Sequence, residues 1–175
     1  GKALQCGTSH FLGQHFAKAM DITYTDQNDV LSHVWTTSWG VSTRLIGGLI
    51  MTHSDDKGLV LPPRLAPIQV VIVPIDGKEK NEAVHTSVDE LAETLKAAGL
   101  RVQVDHRDLR PGEKYFEWEK KGVPIRIELG PKDLAAGSVV LVRRDNGEKL
   151  TAALPEIAEQ MPEMLEEIQR ALFER

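Results

Sequence analysis

Two short runs of the sequence carry residue types that can hold a nucleotide. They are residues 5–10 (Gln-Cys-Gly-Thr-Ser-His) and residues 39–44 (Trp-Gly-Val-Ser-Thr-Arg). A Gly-Thr-Ser turn that enters a helix directs backbone N–H groups and two hydroxyls at one point, which suits a phosphate or ribose oxygen. In the second run, Gly40 lets a ligand approach the backbone closely, and Arg44 supplies a planar cation for a phosphate or a nucleobase. The pair indicates a nucleotide site, while each run alone also fits an ordinary helix start.

Other reactive side chains give weaker signals. Residues 53–57 combine a histidine with two adjacent aspartates, but adjacent acids point in divergent directions, so the segment is predicted to be a solvated turn. Cys6 has no evident partner base, which disfavours a nucleophilic role. The chain contains neither the Cys/His spacing of a zinc site nor a glycine fingerprint for phosphates or dinucleotides.

A third region mixes aromatic residues with both signs of charge, in residues 105–108 and 114–121. Such a surface can stack unpaired bases and bind their edges, as readers of single-stranded RNA do. Alternatively, Phe116 and Trp118 divide between surface and core while the charges stay solvated. The sequence leaves both interpretations open.

The composition limits the class of protein. With 175 residues, 41% hydrophobic and 27% charged, the chain is long enough for one good core or two modest ones. No run approaches the ~20 apolar residues of a bilayer span, and a single cysteine excludes internal disulfides and fits the cytoplasm. The net charge of −5 argues against nonspecific binding of nucleic acid. Only residues 101–149 are net positive, so if the C-terminal half contacts a polyanion, that segment is the expected face. Because the chain does not begin with Met, we expect it to be a piece of a longer protein.

Hydrophobic patterning predicts the elements that position the two runs. Ser9 is expected to cap a helix that follows the turn at residues 7–9, and Gly40 is expected to form a turn that leads into a helix capped by Ser42. The predicted strands are residues 3–6, 22–24, 34–39 and 58–61. The first of the two predicted helices extends as far as Met20, and the second extends from Ser42 past Met51. A polar turn is expected at residues 25–29.

Beyond a boundary that we place between residues 66 and 67, strands alternate with helices. The predicted strands are residues 69–74, 102–104, 123–129 and 138–142, and the predicted helices are residues 83–98, 111–118 and 155–173. The first strand is continuously apolar, which predicts burial on both faces. Alternation of this kind predicts a mixed or largely parallel α/β sheet.

Read together, these runs resemble the prolyl-tRNA synthetases, a class II aminoacyl-tRNA synthetase family, of the archaeal/eukaryotic-like type. The resemblance covers essentially the whole chain and rests on four runs in family order, namely residues 7–14, 39–44, 58–67 and 121–133. It implies an α/β fold with two parts. Residues 1–66 would be the end of an antiparallel-sheet catalytic domain, and residues 67–175 a mixed-sheet anticodon-binding domain.

The resemblance also implies an activity. Members of the family join proline to ATP, supplied with Mg2+, as prolyl-adenylate and then transfer the prolyl group to tRNA(Pro). The parent protein would be a cytoplasmic homodimer that binds neither membranes nor DNA. By residue-to-residue matching, the adenylate would contact Gln5, Thr8, Ser42 and Arg44, with Arg44 as the catalytic arginine of motif 3. Proline would contact His10, Trp39 and Gly40, and the guanines of the anticodon would contact Glu119, Arg126 and Lys132. No residue is assigned to a metal ion.

Motifs 1 and 2 of class II synthetases and the C-terminal extension of this family type are absent from the sequence. We therefore expect the fragment to be inactive alone. Alternatives are a stand-alone RNA-binding module built from residues 67–175, an accessory subunit whose anticodon-like fold contacts protein, and a threonyl or histidyl sibling. The nucleotide-type runs favour a synthetase, because neither the module nor the accessory subunit needs an adenylate site.

Overall fold

The computed structural model describes residues 3–77 and 80–174. The chain divides into two compact units, Gly1–Thr52 and His53–Arg175. This division falls before the functional boundary that we predict at residues 66 and 67. The reason is that residues 53–61 pack within the second unit, where Val60 is buried and the Leu61 N–H donates to the Gly122 carbonyl at 3.2 Å. Among the described residues, no helix has both the length and the apolar character needed to cross a bilayer.

The first unit consists of short elements around two antiparallel strand pairs. Its elements are β1 (Gly7–Gly13), α1 (His15–Ala19), β2 (Thr23–Thr25), β3 (Leu31–His33), β4 (Thr36–Val41) and α2 (Arg44–Thr52). Strand β1 pairs with β4, and β2 pairs with β3. The polar turn before β3 is present as predicted, since the Asp26 carboxylate accepts from the N–H groups of Asn28 and Val30.

Two predictions for the nucleotide-type runs are wrong. Residues 7–9 do not form a turn capped by Ser9, because they begin β1. Trp39 and Gly40 do not open a helix, because they lie inside β4. The cause is the pairing of β1 with β4, two strands that are distant in sequence, which local patterning does not reveal. Residues 3–6 are also not a strand.

The first unit has almost no hydrophobic core. Among its described residues, 3–52, Ala17 alone is buried. By contrast, Phe11, Trp39 and Val41 are 74%, 75% and 77% exposed. Large apolar side chains at such exposure are what a complete domain buries against further sequence or a partner.

The second unit is built on one mixed five-stranded sheet. Its elements are β5 (Ser54–Asp55), β6 (Gly58–Leu59), β7 (Val70–Pro74), α3 (Glu82–Ala97), β8 (Val102–Val104), α4 (Pro111–Lys121), β9 (Ile125–Leu129), α5 (Pro131–Ala136), β10 (Ser138–Arg143), β11 (Lys149–Ala153), a 3-10 turn (Leu154–Glu156) and α6 (Ile157–Phe173). The strand order is β11-β10-β9-β7-β8, with β7 parallel to β8 and β9 and the other pairs antiparallel. The predicted mixed sheet is confirmed.

Helices cover both faces of this sheet. Side chains alternate along β7, so Val70 and Ile72 pack in the main core with α3 and α6, while Val71 and Val73 pack against Trp118 of α4. All five residues of β7 are buried, as its apolar sequence predicts. Helix α4 begins at Pro111 and ends before Gly122 as predicted. The short elements α5 and β11 were not predicted.

Candidate functional site

The β1–β4 ribbon sets the geometry of the first candidate site. Thr8 lies opposite Gly40, and His10 lies opposite Ser38, so these four residues share one face of the ribbon. Gly40 leaves room for its neighbour, because a Cβ at this position would stand 3.2 Å from the Thr8 hydroxyl oxygen. The ribbon therefore brings a hydroxyl and a bare backbone segment together, as the nucleotide interpretation requires.

Arg44 completes an open cleft of about 240 Å³ beside this face. It is the first residue of α2, and its N–H donates to the Ser42 hydroxyl at 3.3 Å. Its guanidinium donates to the Gln5 carbonyl at 3.5 Å and is otherwise exposed. The cleft is lined by eight residues, Gln5, Cys6, Gly7, Thr8, Gly40, Val41, Ser42 and Arg44. All four residues predicted to contact the adenylate thus line one cleft, which holds one cation and no carboxylate.

The predicted proline-binding residues are divided by the ribbon. Gly40 lines the cleft, and His10 lies two residues from Thr8 on the same face. Trp39 pairs with Ser9, so its side chain projects from the opposite face. The structure therefore groups His10 with Gly40 and separates Trp39 from both.

The second candidate site lies where α4 meets β9. Arg126 is 6% exposed, and its guanidinium donates to Glu128 at 3.0 Å and to Glu119 at 3.5 Å. The ring of Tyr115 lies under it, with 4.1 Å between the guanidinium carbon and the ring centre. Burial and the neighbouring Glu128 carboxylate raise the pKa of Tyr115 to about 12. The structure brings Glu119 and Arg126 into contact, with Arg126 held between two carboxylates.

Lys132 is placed differently from these two residues. It is the second residue of α5, is exposed, and makes no hydrogen bond or ion pair within the part of the chain that the structure describes. Its ammonium is therefore free to meet an anion or a base edge from solvent. The structure does not bring it into contact with Glu119 or Arg126.

Sequence reasoning missed two anchors of this second site. Arg144 donates to the Glu119 carbonyl at 3.0 Å and to both carboxylate oxygens of Asp55 at 2.6 and 2.8 Å. The Arg144 guanidinium holds the pKa of Asp55 well below its usual range. Strands β5 and β6 pair as a hairpin, and residues 56 and 57 form its turn, within the segment predicted to be a turn. Asp55 is an ion-pair partner that ties this β5–β6 hairpin to the backbone of α4 through Arg144.

The aromatic residues of the mixed region divide as the second of the two interpretations predicts, but its charges do not all stay solvated, because Asp105 and Lys114 are buried. Phe116 is exposed, while Trp118 is buried and its indole N–H donates to the Asp105 carboxylate at 2.7 Å. Arg107 donates to the same carboxylate at 2.7 and 2.9 Å. Burial alone would raise the pKa of Asp105, but these hydrogen bonds outweigh it and hold the pKa well below its usual range. Within residues 3–77 and 80–174, no group of three His, Cys, Asp or Glu side chains could hold a metal ion.

Known proteins are similar to this chain in sequence. Residues 69–164 match the family described as "Anticodon binding domain". A protein of Symbiobacterium thermophilum named "Proline--tRNA ligase" is 54% identical over 99% of this chain and 36% of its own length. The protein of the same name from Chloroflexus aurantiacus is 57% identical over 100% of this chain and 37% of its own length.

A solved structure is also similar to this chain. The prolyl-tRNA synthetase of Cryptosporidium parvum, complexed with L-proline and AMP, superposes with a TM-score of 0.90 at 45% identity, over 97% of this chain and 37% of its own. These matches confirm the resemblance and the α/β class predicted from the motifs. The chain spans little more than a third of the length of the relatives that it matches.

Proposed function

The chain belongs to the anticodon binding domain family, and from this premise we propose that it is part of a proline–tRNA ligase. The observation that carries the proposal is the cleft around Arg44, which stands in the same chain as an anticodon-type domain. A module that only binds RNA needs no adenylate site, so a cleft lined by all four residues expected to contact the adenylate favours the ligase. The nearly coreless first unit supports a role as one part of a larger catalytic domain.

The cleft suits activation of a carboxylate by ATP. Attack of a proline carboxylate on the α-phosphorus of ATP breaks the bond to the β-phosphate and releases pyrophosphate. This step needs in-line alignment and neutralisation of charge, and little covalent help from the protein. Arg44 would neutralise the phosphate, while the Thr8 and Ser42 hydroxyls and Gln5 would orient the nucleotide. Since no carboxylate lines the cleft, Mg2+ would arrive as part of the ATP substrate.

Proline would lie on the face that carries His10 and Gly40. Trp39 projects from the other face and is 75% exposed, so we propose that it supports this pocket from behind, against the remainder of the parent protein. A hydroxyl at the 3′ end of the tRNA would then attack the prolyl carbonyl of the adenylate, and AMP would leave.

Recognition of the anticodon would use the second site. The Glu119 carboxylate can accept from the N1–H and amino group of a guanine, and the free Lys132 ammonium can donate to O6 or N7. Arg126, buried and shared between Glu119 and Glu128, would aim the Glu119 carboxylate and add positive charge beneath the base. A homodimeric parent in the cytoplasm, acting on tRNA(Pro), is the assembly that this role implies.

Exchange of pyrophosphate with ATP in the presence of proline tests Arg44 in the full-length parent. Arg44→Ala and Arg44→Lys should each lower the rate by roughly 100-fold or more, because a point charge does not reproduce bidentate or stacking contacts. Arg170→Ala removes an exposed arginine from α6 and is the matched control, with an unchanged rate expected. Normal exchange in both Arg44 variants would exclude the assigned role.

Binding of tRNA tests the second site independently. Glu119→Gln should reduce the preference for tRNA with the proline anticodon over tRNA with altered guanines by about tenfold. Equal affinity of the unaltered protein for both tRNAs would reject anticodon reading, and no binding at all would favour the accessory subunit that contacts protein. Specific binding by a parent without proline-dependent exchange would favour the stand-alone module.

A further inference from the structure

We propose that the second unit binds a phosphate group in a cavity at the carboxyl ends of β7 and β8. The cavity measures about 560 Å³, within the range of small-ligand sites. It lies between the loop that follows Pro74, the last residue of β7, and the loop that leads into Pro111, the first residue of α4. It shares no lining residue with the Glu119–Arg126 site, so phosphate would bind here whether or not the ligase function holds.

The position is a topological switch point of the sheet. The chain leaves β7 for α3 on one face, while it leaves β8, the neighbouring strand, for α4 on the opposite face. Open α/β sheets bind ligands in the crevice that forms where adjacent loops part in this way. The cavity lies in that crevice, with lining residues from both loops and from both helices.

Lys114 is the strongest indication of an anion. It lines the cavity although it is only 4% exposed, and its ammonium donates to the Asp105 carbonyl at 3.1 Å. Among the described residues, no carboxylate stands within ion-pair distance of it. A buried cation without an ion pair is costly. The charge of Lys114 acts on Asp76 only from beyond ion-pair distance, and an anion bound in the cavity would supply a direct partner.

Other cations surround the same space. Arg110 lines it, is exposed, and makes no side-chain ion pair in the described part of the chain, and Lys80 is exposed with only a 3.7 Å contact to Glu82. Arg107 also lines the cavity, but Asp105 already binds its guanidinium in bidentate fashion. Arg110, Lys80 and Lys114 are thus the cations available to a ligand.

The acids in the cavity do not cancel this charge. Asp76 accepts from the Asn81 N–H at 3.0 Å and from His85 at 3.1 Å, which leaves Asp108 as the one lining carboxylate without a partner among the described residues. The hydrogen bonds to Asp76 do not remove its negative charge, so three available cations face two carboxylates, Asp76 and Asp108. That balance favours an anion with several acceptor oxygens, and phosphate meets it.

A histidine pair adds donors at the wall. The Nδ1 atoms of His85 and His106 lie 3.1 Å apart, and the Nε2 atoms contact Asp76 at 3.1 Å and Asp89 at 2.8 Å. Which of these contacts are hydrogen bonds depends on which ring nitrogens carry protons, and a ring N–H that faces the cavity can donate to an anion.

Titration of the 175-residue chain with inorganic phosphate, followed by 15N-resolved NMR, tests the site. Amide shifts should concentrate in the two loops, at residues 75–77 and 106–110. Arg110→Gln should weaken the affinity about tenfold through loss of a charge-assisted contact, and since Arg110 is exposed the fold should remain intact. Lys114→Met should weaken it at least as much, with retained amide dispersion as the check on folding.

Lys149→Met is the matched control. Lys149 is exposed and lies on β11, at the edge of the sheet opposite to β8, so its loss should leave the affinity unchanged. Shifts spread over other surfaces, or equal affinity in Arg110→Gln and the unaltered chain, would overturn the proposal.

Competition then identifies the source of the phosphate. If AMP displaces inorganic phosphate and adenosine does not, the natural ligand is the terminal phosphate of a nucleotide. Displacement by a short oligoribonucleotide without terminal phosphates assigns a backbone phosphodiester of RNA. Either result supports the site, because both depend on the same cations.

Discussion

Replacement of Asp105 by Asn should destabilise the second unit more than any isosteric change on its surface. Asp105 is 2% exposed, and its carboxylate accepts hydrogen bonds from Trp118 at 2.7 Å and from the Arg107 side chain at 2.7 and 2.9 Å. The Arg107 backbone N–H donates a fourth bond at 3.2 Å, so four donor groups from two residues meet the carboxylate. The carboxylate therefore ties the loop after β8 to the buried face of α4.

The magnitude follows from the donor count. Asn offers one acceptor oxygen and one NH2 donor, so whichever way its amide faces, a donor meets either the indole N–H or the guanidinium. Each oxygen of Asp105 accepts two of the four bonds, so in either orientation the variant keeps two bonds and loses two, each worth roughly 1.5–3 kcal/mol when a charge is involved. Because the Arg107 side chain is 43% exposed and can be hydrated by water, we use the lower end of this range of energies for each lost bond. The expected loss is about 3 kcal/mol.

Urea unfolding measures this loss. With a slope of roughly 2 kcal/mol per molar urea, the midpoint of Asp105→Asn should fall by about 1.5 M, and amide exchange of β7 would report the second unit alone. Asp108→Asn is the control, because Asp108 is exposed, and its effect should stay within about 0.5 kcal/mol. A loss under about 1 kcal/mol in Asp105→Asn would refute the donor count.

Two further predictions concern the hairpin formed by β5 and β6, which packs on α4. Gly122→Ala should cost more than about 2 kcal/mol, because Gly122 has a φ of +72° and a Cβ would stand 2.5 Å from the Leu59 Cβ. Gly99→Ala, with a φ of +85° and open space around it, should cost only about 1 kcal/mol, and equal losses would contradict the packing argument. Arg144 lowers the pKa of Asp55 below its ordinary value of 3.8. The ion pair therefore stabilises the folded protein above pH 3.8, and this stabilisation is lost as the pH falls below that value. Asp55→Asn should flatten acid unfolding in this range, and an unchanged profile would contradict the ion pair.

The elements of the second unit were predictable where local signals are strong. Pro111 and Gly122 fix the ends of α4, and the continuous apolar run of β7 requires burial on both faces. The hairpin before β11 also had a signal, since Asn146-Gly147 is a typical hairpin turn. The first unit was harder, because the extended conformation of residues 7–13 depends on a partner strand almost thirty residues away.

The candidate site was predictable as a set of residues and less so as a geometry. Patterning and resemblance selected Gln5, Thr8, Ser42 and Arg44, which do line one cleft. The face on which Trp39 projects depends on strand register, and a shift of one residue reverses it. A buried lysine such as Lys114 carries only a faint signal, its position four residues before Trp118 on the inner stripe of α4.

Helix α4 connects the two proposed binding sites of the second unit through Asp105. Lys114 reaches the cavity while it donates to the Asp105 carbonyl, and Trp118, which donates to the Asp105 carboxylate, precedes Glu119 in the same helix. Asp105→Asn should therefore weaken both phosphate and tRNA binding, whereas Glu119→Gln should weaken only tRNA binding. NMR titration with phosphate and filter binding of tRNA(Pro) give the two affinities. Loss of phosphate affinity in Glu119→Gln would mean that the sites share contacts beyond this helix and would contradict their separation.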